Sequence, residues 1–312
     1  MASKKNYLIK GLKNPKNAWY VTKTNFEITA SRLLFKNTAG FKNNLEGRKL
    51  QKLTREKPDV KEDFNQNVLQ LQESGFTHLG SPFEPSLIMK IKKKYETLID
   101  DNNYSFVRSC DMDGRVYSRM INEAYKIFPE VINLITPDIK KMVRGYYQSN
   151  FQILHVELWR TYHIPREINM KKEMYGSYWH CDGANTAITT MFVNMSDVTD
   201  KDGPLHFQSI KRTKELIKMG YKTRRNYNLP LDIIEDLKHV LKHKGSTGSA
   251  VWVNTQFCLH RAGIPEPNRH RDMMQIRFIP SKDLLYDDWP NHCEPSNDEI
   301  RFNQTKAKFK VD

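Results

Sequence analysis

The chain has 312 residues, of which 38% are hydrophobic, and a formal net charge of +14. This length accommodates one large domain with a substantial core, and the lack of an apolar run of about eighteen residues excludes a conventional transmembrane helix. Four cysteines without a CxxC pair exclude a disulfide scaffold and a structural zinc site of the usual spacing. With an N-terminus that lacks an apolar signal region, the sequence predicts a cytoplasmic protein.

The positive charge is concentrated near the N-terminus. Residues 1–60 contain fourteen Lys and Arg against four Asp and Glu, a balance of +10. We predict a basic, irregular or weakly helical extension over residues 1–60. A single domain is predicted over residues 61–312, with a basic, mostly helical insertion at about 211–244. The extension could attract an anionic partner, whereas a solvated, partly flexible segment is the simpler interpretation.

The N-terminal part of the domain is predicted to be helical. Residues 61–73 carry apolar side chains at helical spacing, and Gly75 ends that pattern. The segment FTHLGS that follows is typical of a short strand. Residues 86–101 form a second predicted helix with an apolar stripe, and residues 118–145 are predicted to be helical as well.

Strands dominate after Tyr147. The segments concerned are rich in β-branched and aromatic residues and are separated by turn-forming residues. Helices followed by many short strands predict an α+β fold whose core is a double-stranded β-helix, a jelly-roll or cupin-like arrangement. The predicted strands are residues 151–163, 186–197, 204–210, 248–263 and 271–280.

The strongest local signal for chemistry is Trp179-His180-Cys181-Asp182-Gly183. Side chains alternate across a strand, so His180 and Asp182 share a face while Cys181 points away. A neutral imidazole and a carboxylate are two of the three ligands in the facial triad of non-haem iron(II) sites. Because the HxD pattern is common by chance, it requires a third ligand from elsewhere in the chain.

His260 ends an apolar strand in the second half of the chain and is the candidate for the third ligand. An isolated histidine is more often structural, but here two histidines lie at the ends of two strands. Arg271, at the start of the next strand, is a candidate anchor for a carboxylate, because guanidinium binds carboxylates in bidentate fashion. From the residues alone, Arg269 and Arg277 are alternatives to Arg271.

These segments resemble the phytanoyl-CoA dioxygenase superfamily of iron(II)- and 2-oxoglutarate-dependent enzymes. The resemblance spans about residues 64–280 and rests on the HxD motif, on DGPLHFQSIKR, on GSAVWVNTQFCLHRAG and on the interval from His260 to Arg271. The family often has P-G-S-H where this chain has Gln208-Ser209-Ile210-Lys211. It also often has Ser or Thr at the position of Ala262.

The resemblance implies that His180, Asp182 and His260 bind iron(II), with 2-oxoglutarate and O2 as co-substrates. It places Arg271 on the far carboxylate of 2-oxoglutarate and Ser177 at a position that lines the co-substrate. Hydroxylation of a small organic substrate, with release of succinate and CO2, is the implied reaction. Related halogenases have a small residue where this chain keeps Asp182, so halogenation is not expected.

Other interpretations remain open at this point. One is a basic nucleic-acid-binding protein with a purely structural barrel, although no nucleic-acid-binding motif is present. Another is a cupin-like metal-binding protein or hydrolase that uses the same ligands. Positive residues at 211–225 suggest an anionic substrate as one alternative. The sequence leaves the substrate and the oligomeric state undetermined.

Overall fold

The computed structural model describes residues 26–55 except Ile28, residues 65–224 and residues 227–308. Its α-helices, beyond a helical stretch at 29–34, are Phe41–Thr54, Gln66–Ser74, Pro85–Leu98, Ala124–Ile127, Pro137–Tyr147, Arg166–Lys171, Ile210–Met219, Leu231–Ile234 and Asn297–Lys308. Short 3-10 helices span Pro129–Leu134, Asp200–Asp202 and Trp289–His292.

In the part of the chain that the structure describes, ten strands form two antiparallel sheets. They are β1 (Phe76–Gly80), β2 (Ser105–Cys110), β3 (Val116–Ile121), β4 (Asn150–Tyr162), β5 (Thr189–Asn194), β6 (Leu205–Phe207), β7 (Leu241–His243), β8 (Ala250–Val253), β9 (His260–Ala262) and β10 (His270–Ser281). The major sheet has the order β1-β8-β5-β10-β4-β3-β2, and the minor sheet has the order β7-β6-β9. The mixture of helices with antiparallel sheets agrees with the predicted α+β class.

The two faces of the major sheet pack against different partners because side chains alternate along each strand. On β10, Met274, Ile276 and Phe278 point into the larger core, which the helices cover. Met273, on the opposite face, packs in a second core with Leu205 of the minor sheet. Burial of each such side chain contributes roughly 1.5–3 kcal/mol, so both faces of the central strands stabilise the fold.

The prediction of a helix over residues 118–145 is wrong at its start. Val116–Ile121 is a strand that pairs with both β2 and β4. Its β-branched and aromatic residues fit a sheet position, and strand pairing overrides local helical spacing. Pro129 and Pro137 then begin separate helical segments, because proline is tolerated at the start of a helix but not in its interior.

The basic regions also differ in part from the predicted pattern. Phe41–Thr54 is a regular helix within the predicted extension, whose first 25 residues and residues 56–60 lie outside the described part of the chain. The insertion contains the helix Ile210–Met219, but its second half has only a four-residue helix followed by β7. No helix in the described ranges is long and apolar enough to cross a membrane.

His243, at the end of β7, is expected to make the fold sensitive to acid. It is 1% exposed, and burial, followed by the proximity of His78, lowers its pKa to about 3. Below about pH 6.5 the unfolded chain binds a proton that the folded chain does not bind, so stability is lost as the pH falls toward 3. The loss between pH 6.5 and 4 is roughly 3 kcal/mol.

The variant His243→Phe should therefore lose less stability between pH 7 and pH 4 than the wild type, as measured by urea unfolding at each pH. His239→Phe is the matched control, because His239 lies on the surface. An acid-induced loss of the same size in all three proteins would contradict the assignment.

Candidate metal centre

His180 and His260 are neighbours across a short backbone pairing at the edge of the minor sheet. The His180 N–H donates to the His260 carbonyl at 3.0 Å, and the His260 N–H donates to the His180 carbonyl at 2.8 Å. This pairing brings residues eighty positions apart side by side, with ring centroids 4.3 Å apart. The Asp182 N–H donates to the Thr255 carbonyl at 2.9 Å and holds the third residue of the motif beside them.

The two imidazole rings are oriented alike by backbone carbonyls. Nδ1 of His180 lies 2.6 Å from the carbonyl of Tyr178, and Nδ1 of His260 lies 3.1 Å from that of Cys258. Each Nε2 then faces Asp182, at 3.6 Å from its Oδ1. Such carbonyl contacts fix the tautomer with Nε2 free, as in histidine ligands of metal sites.

Both groups of the HxD motif have the ionisation state that metal binding requires. Burial, followed by the proximity of His260, lowers the pKa of His180 to about 4, so its imidazole is neutral near pH 7. Burial alone would raise the pKa of Asp182, but His260, His180 and Arg277 outweigh it and hold that pKa well below its usual range. The three candidate ligand atoms lie within 4.8 Å of one another, which fits a divalent metal ion.

Gly176 packs directly against the candidate ligand His180. A Cβ at this position would lie 3.2 Å from Cε1 and 3.7 Å from Nε2 of His180. We therefore expect Gly176→Ala to displace the ring by a few tenths of an ångström and to weaken metal binding by about 10- to 100-fold. Calorimetric titration with Fe(II) under anaerobic conditions measures this effect.

Gly183→Ala is the matched control for that substitution, because a Cβ on Gly183 meets open space. Its metal affinity should remain that of the wild type. Equal affinities for Gly176→Ala and Gly183→Ala would show that His180 does not need its present position to bind metal.

A cavity of about 230 Å³ adjoins the three residues. Residues of both sheets form its walls. Every second residue of β4 and β10 points into it, because side chains alternate between the two faces of a strand. Phe192, Leu205 and Met273 supply apolar surface. The residues from β4 and β10 are His155, Glu157, Trp159, Thr161, Arg271, Met273, Gln275 and Arg277.

Arg271 is a buried cation in this cavity. It is 1% exposed, one of its terminal nitrogens donates to the carbonyl of Gly203, and its Nε has no hydrogen-bond partner in the described part of the chain. Among the described residues, none of the acidic side chains forms an ion pair with it, and burial lowers its pKa to about 10. A buried guanidinium without a carboxylate partner fits an anionic ligand.

The two alternative arginines have different surroundings. Arg269 is 45% exposed along its side chain and donates to Asp202 at 2.7 Å, so it is neutralised outside the cavity. Arg277 lines the cavity, but its Nη2 lies 3.8 Å from Oδ2 of Asp182, beside the candidate metal ligands. The geometry therefore favours Arg271 as the anchor of a carboxylate that extends away from the metal.

Ser177 is not brought to this cavity. Its hydroxyl donates to Oδ1 of Asn169 at 2.8 Å, and the residue lines a separate pocket with Tyr178 and Arg261. A contact between Ser177 and the co-substrate stays a prediction without support from this arrangement. Ala262 does line the cavity, close to where the family often has a hydroxyl side chain.

Several cavity residues were missed at the sequence level. His155 and Glu157 on β4, and Gln275 on β10, alternate with apolar residues that face the larger core. This period of two in otherwise hydrophobic strands is a signal that could have identified them. Ser296–Asp298, at the start of the C-terminal helix, also line the cavity but lie outside the segment that carries the family resemblance.

Comparison with known proteins rests on structure. No protein-family model matches the chain, and no curated protein matches its sequence. The crystal structure of SnoK, a non-haem alpha-ketoglutarate-dependent carbocyclase from nogalamycin biosynthesis, is 13% identical. It aligns with a TM-score of 0.51 over 75% of this chain and 92% of that one. The chain has the fold of this 2-oxoglutarate-dependent enzyme.

A second solved structure gives the same result. The apoform of EctD from S. alaskensis is 13% identical. The alignment covers 73% of this chain and 80% of EctD, with a TM-score of 0.50. The likeness confirms the predicted fold class. At such low identity it concerns architecture, so activity is argued from the site itself.

Proposed function

We propose that the protein is an iron(II)- and 2-oxoglutarate-dependent oxygenase that hydroxylates a small organic molecule and releases succinate and CO2. One observation carries this proposal. Two histidines and a carboxylate meet at the wall of a cavity that also contains a buried arginine without an acidic partner. This pairing of a facial triad with a separate anion site suits a metal-chelating oxo acid.

The residues present fit both absent groups. His180, Asp182 and His260 would hold iron(II) through one face and leave coordination positions open. Arg271 would hold the far carboxylate of 2-oxoglutarate, to which its free Nε is available. When bound, iron and 2-oxoglutarate supply the activation of O2 that the oxidation of an unreactive C–H bond requires.

The protein's own contribution is to orient ligands and to exclude water. The carbonyls of Tyr178 and Cys258 fix the imidazole rings, so the ligands need little reorganisation when metal binds. Phe192, Leu205 and Met273 cover part of the cavity wall with apolar surface, which excludes water at those positions. Because Asp182 occupies the carboxylate position of the triad, hydroxylation is favoured over halogenation, which needs that position for a halide.

The experiment is to load the protein with Fe(II), add 2-oxoglutarate and O2, and measure succinate formed without added substrate. We expect succinate above the level of an Fe(II) blank, and we expect this excess to disappear in His260→Ala. Activity that survives in His260→Ala, or hydrolase activity that depends on zinc and not on 2-oxoglutarate, would overturn the proposal in favour of a cupin-like metal enzyme.

A further inference from the structure

Part of the cavity wall is not used by the metal ligands or by Arg271. It consists of two cross-strand pairs on neighbouring rows of β4 and β10. Arg277 pairs with His155, and Gln275 pairs with Glu157. All four side chains line the cavity, next to the candidate metal ligands. Polar side chains that face a cavity in adjacent rows are placed to bind a ligand there.

The Arg277 and His155 pair offers one fixed donor, the Arg277 guanidinium, and a second donor at Nε2 of His155 in the tautomer that carries the proton there. Nε of Arg277 and Nε2 of His155 are buried and have no hydrogen-bond partner in the described part of the chain. The nearest carboxylate oxygen to Arg277 is Oδ2 of Asp182, at 3.8 Å, and Asp182 would be neutralised by a bound metal. These donors therefore suit an anionic group of a second ligand beside the metal.

The Glu157 carboxylate offers an acceptor one row away. Its Oε2 accepts a hydrogen bond from Nε2 of Gln275 at 3.1 Å, which fixes the orientation of the group. Its Oε1 lies 3.8 Å from Nε2 of His155, beyond hydrogen-bond distance. With a side chain only 10% exposed, Glu157 suits a cationic ligand group, because a buried carboxylate is stabilised by an opposite charge.

The charges that face the cavity limit the net charge of this ligand. The two positive charges of Arg271 and Arg277 balance the two negative charges of Asp182 and Glu157. The two positive charges of a divalent metal balance the two negative charges of 2-oxoglutarate. At the mouth, Nε of Arg108 is paired with Asp298 at 2.5 Å. A substrate with a net charge would leave one charge without a partner among these largely buried side chains, which is unfavourable.

We propose that the substrate is a small zwitterion, a free amino acid or a close analogue. Arg277 and His155 bind its carboxylate, and Glu157 binds its ammonium group. This proposal rests on the function proposed above, and a small molecule suits the cavity of about 230 Å³, which it would share with 2-oxoglutarate. Two basic side chains of the insertion are engaged elsewhere, since Arg212 contacts Glu215 and Arg224 contacts Glu173.

The test uses the full chain with Fe(II), 2-oxoglutarate and O2, and the probes are the twenty common amino acids. Succinate release and oxidation of the probe are measured together. At least one amino acid should stimulate succinate release. Its carboxamide and its N-acetyl derivative should each require about ten-fold higher concentration, because each lacks one of the two charges.

Two variants assign the charges to their partners. Arg277→Gln should raise the KM for the amino acid about ten-fold or more and should lose the discrimination against the carboxamide. Glu157→Gln should instead lose the discrimination against the N-acetyl derivative. Arg269→Gln, whose arginine is paired outside the cavity, is the control and should behave as the wild type does.

The outcomes separate this inference from the proposed function. If succinate forms but no amino acid stimulates it, or if the neutral derivatives act equally well, the inference fails and the proposed function stands. If Arg277→Gln raises the KM for 2-oxoglutarate more than that for the amino acid, the substrate subsite is wrongly assigned. A wild-type protein that forms no succinate overturns both.

Discussion

Asp182→Ala is expected to remove iron binding and 2-oxoglutarate turnover. Asp182 is the anionic member of the triad, and its loss would leave two imidazoles near the positive charge of Arg277 with no carboxylate ligand. Since changes that only touch the neighbours of metal ligands weaken affinity by about 10- to 100-fold, loss of a ligand should weaken it by more than about 100-fold. Iron content after anaerobic loading and gel filtration measures this effect.

Asp200→Ala is the control for that experiment. Asp200 is an exposed carboxylate that pairs with Lys242 and Lys244. This variant should load iron as the wild type does. An Asp182→Ala protein that retains its full iron content would show that the metal binds elsewhere.

Arg271→Met is expected to have two opposite effects. Removing a buried guanidinium without an acidic partner should stabilise the protein in the absence of co-substrate, by about 1–4 kcal/mol. The same change should raise the KM for 2-oxoglutarate. Removing one partner of a buried charge pair costs roughly 2–5 kcal/mol of binding free energy, which corresponds to an affinity at least about 30-fold weaker. Urea unfolding and succinate release measure the two effects.

This combination distinguishes an anion site from a structural arginine. A structural Arg271 would give a less stable Arg271→Met protein, whereas a binding residue gives a more stable one with poor co-substrate affinity. Arg269→Met is the matched control, because the Arg269 side chain is 45% exposed and paired with Asp202. It should leave the KM for 2-oxoglutarate at the wild-type value.

The alternation of side chains made much of the site predictable from sequence. His180 and Asp182 share a face because they are two residues apart, and Cys181 packs on the other side with Trp179 and Leu259. The prediction that His260 ends one long apolar strand was wrong, because β8 ends at Val253 and His260 begins β9 of the minor sheet. The pairing of His260 with His180 could not be predicted either, because the sequence does not indicate which strand edges pair.

Features that depend on tertiary packing were harder to predict. Val116–Ile121 has apolar residues at spacings that also fit a helix, and its pairing with β2 and β4 decided the outcome. Arg271 and Arg277 look alike in sequence, since both sit on the same face of one strand. Asp182 distinguishes them: among the described residues it forms an ion pair with Arg277 and not with Arg271. Ser296–Asp298 reach the cavity because the start of the C-terminal helix packs near β2, where Asp298 pairs with Arg108.

We propose that iron(II) and 2-oxoglutarate bind together in the cavity between the two sheets. The most direct test is an anaerobic titration of the Fe(II)-loaded protein with 2-oxoglutarate, followed by visible absorption. We predict a saturable absorption band in the wild type that does not form in Asp182→Ala and needs at least about 30-fold more 2-oxoglutarate in Arg271→Met. No band in the wild type, or the same titration in all three proteins, would contradict the claim.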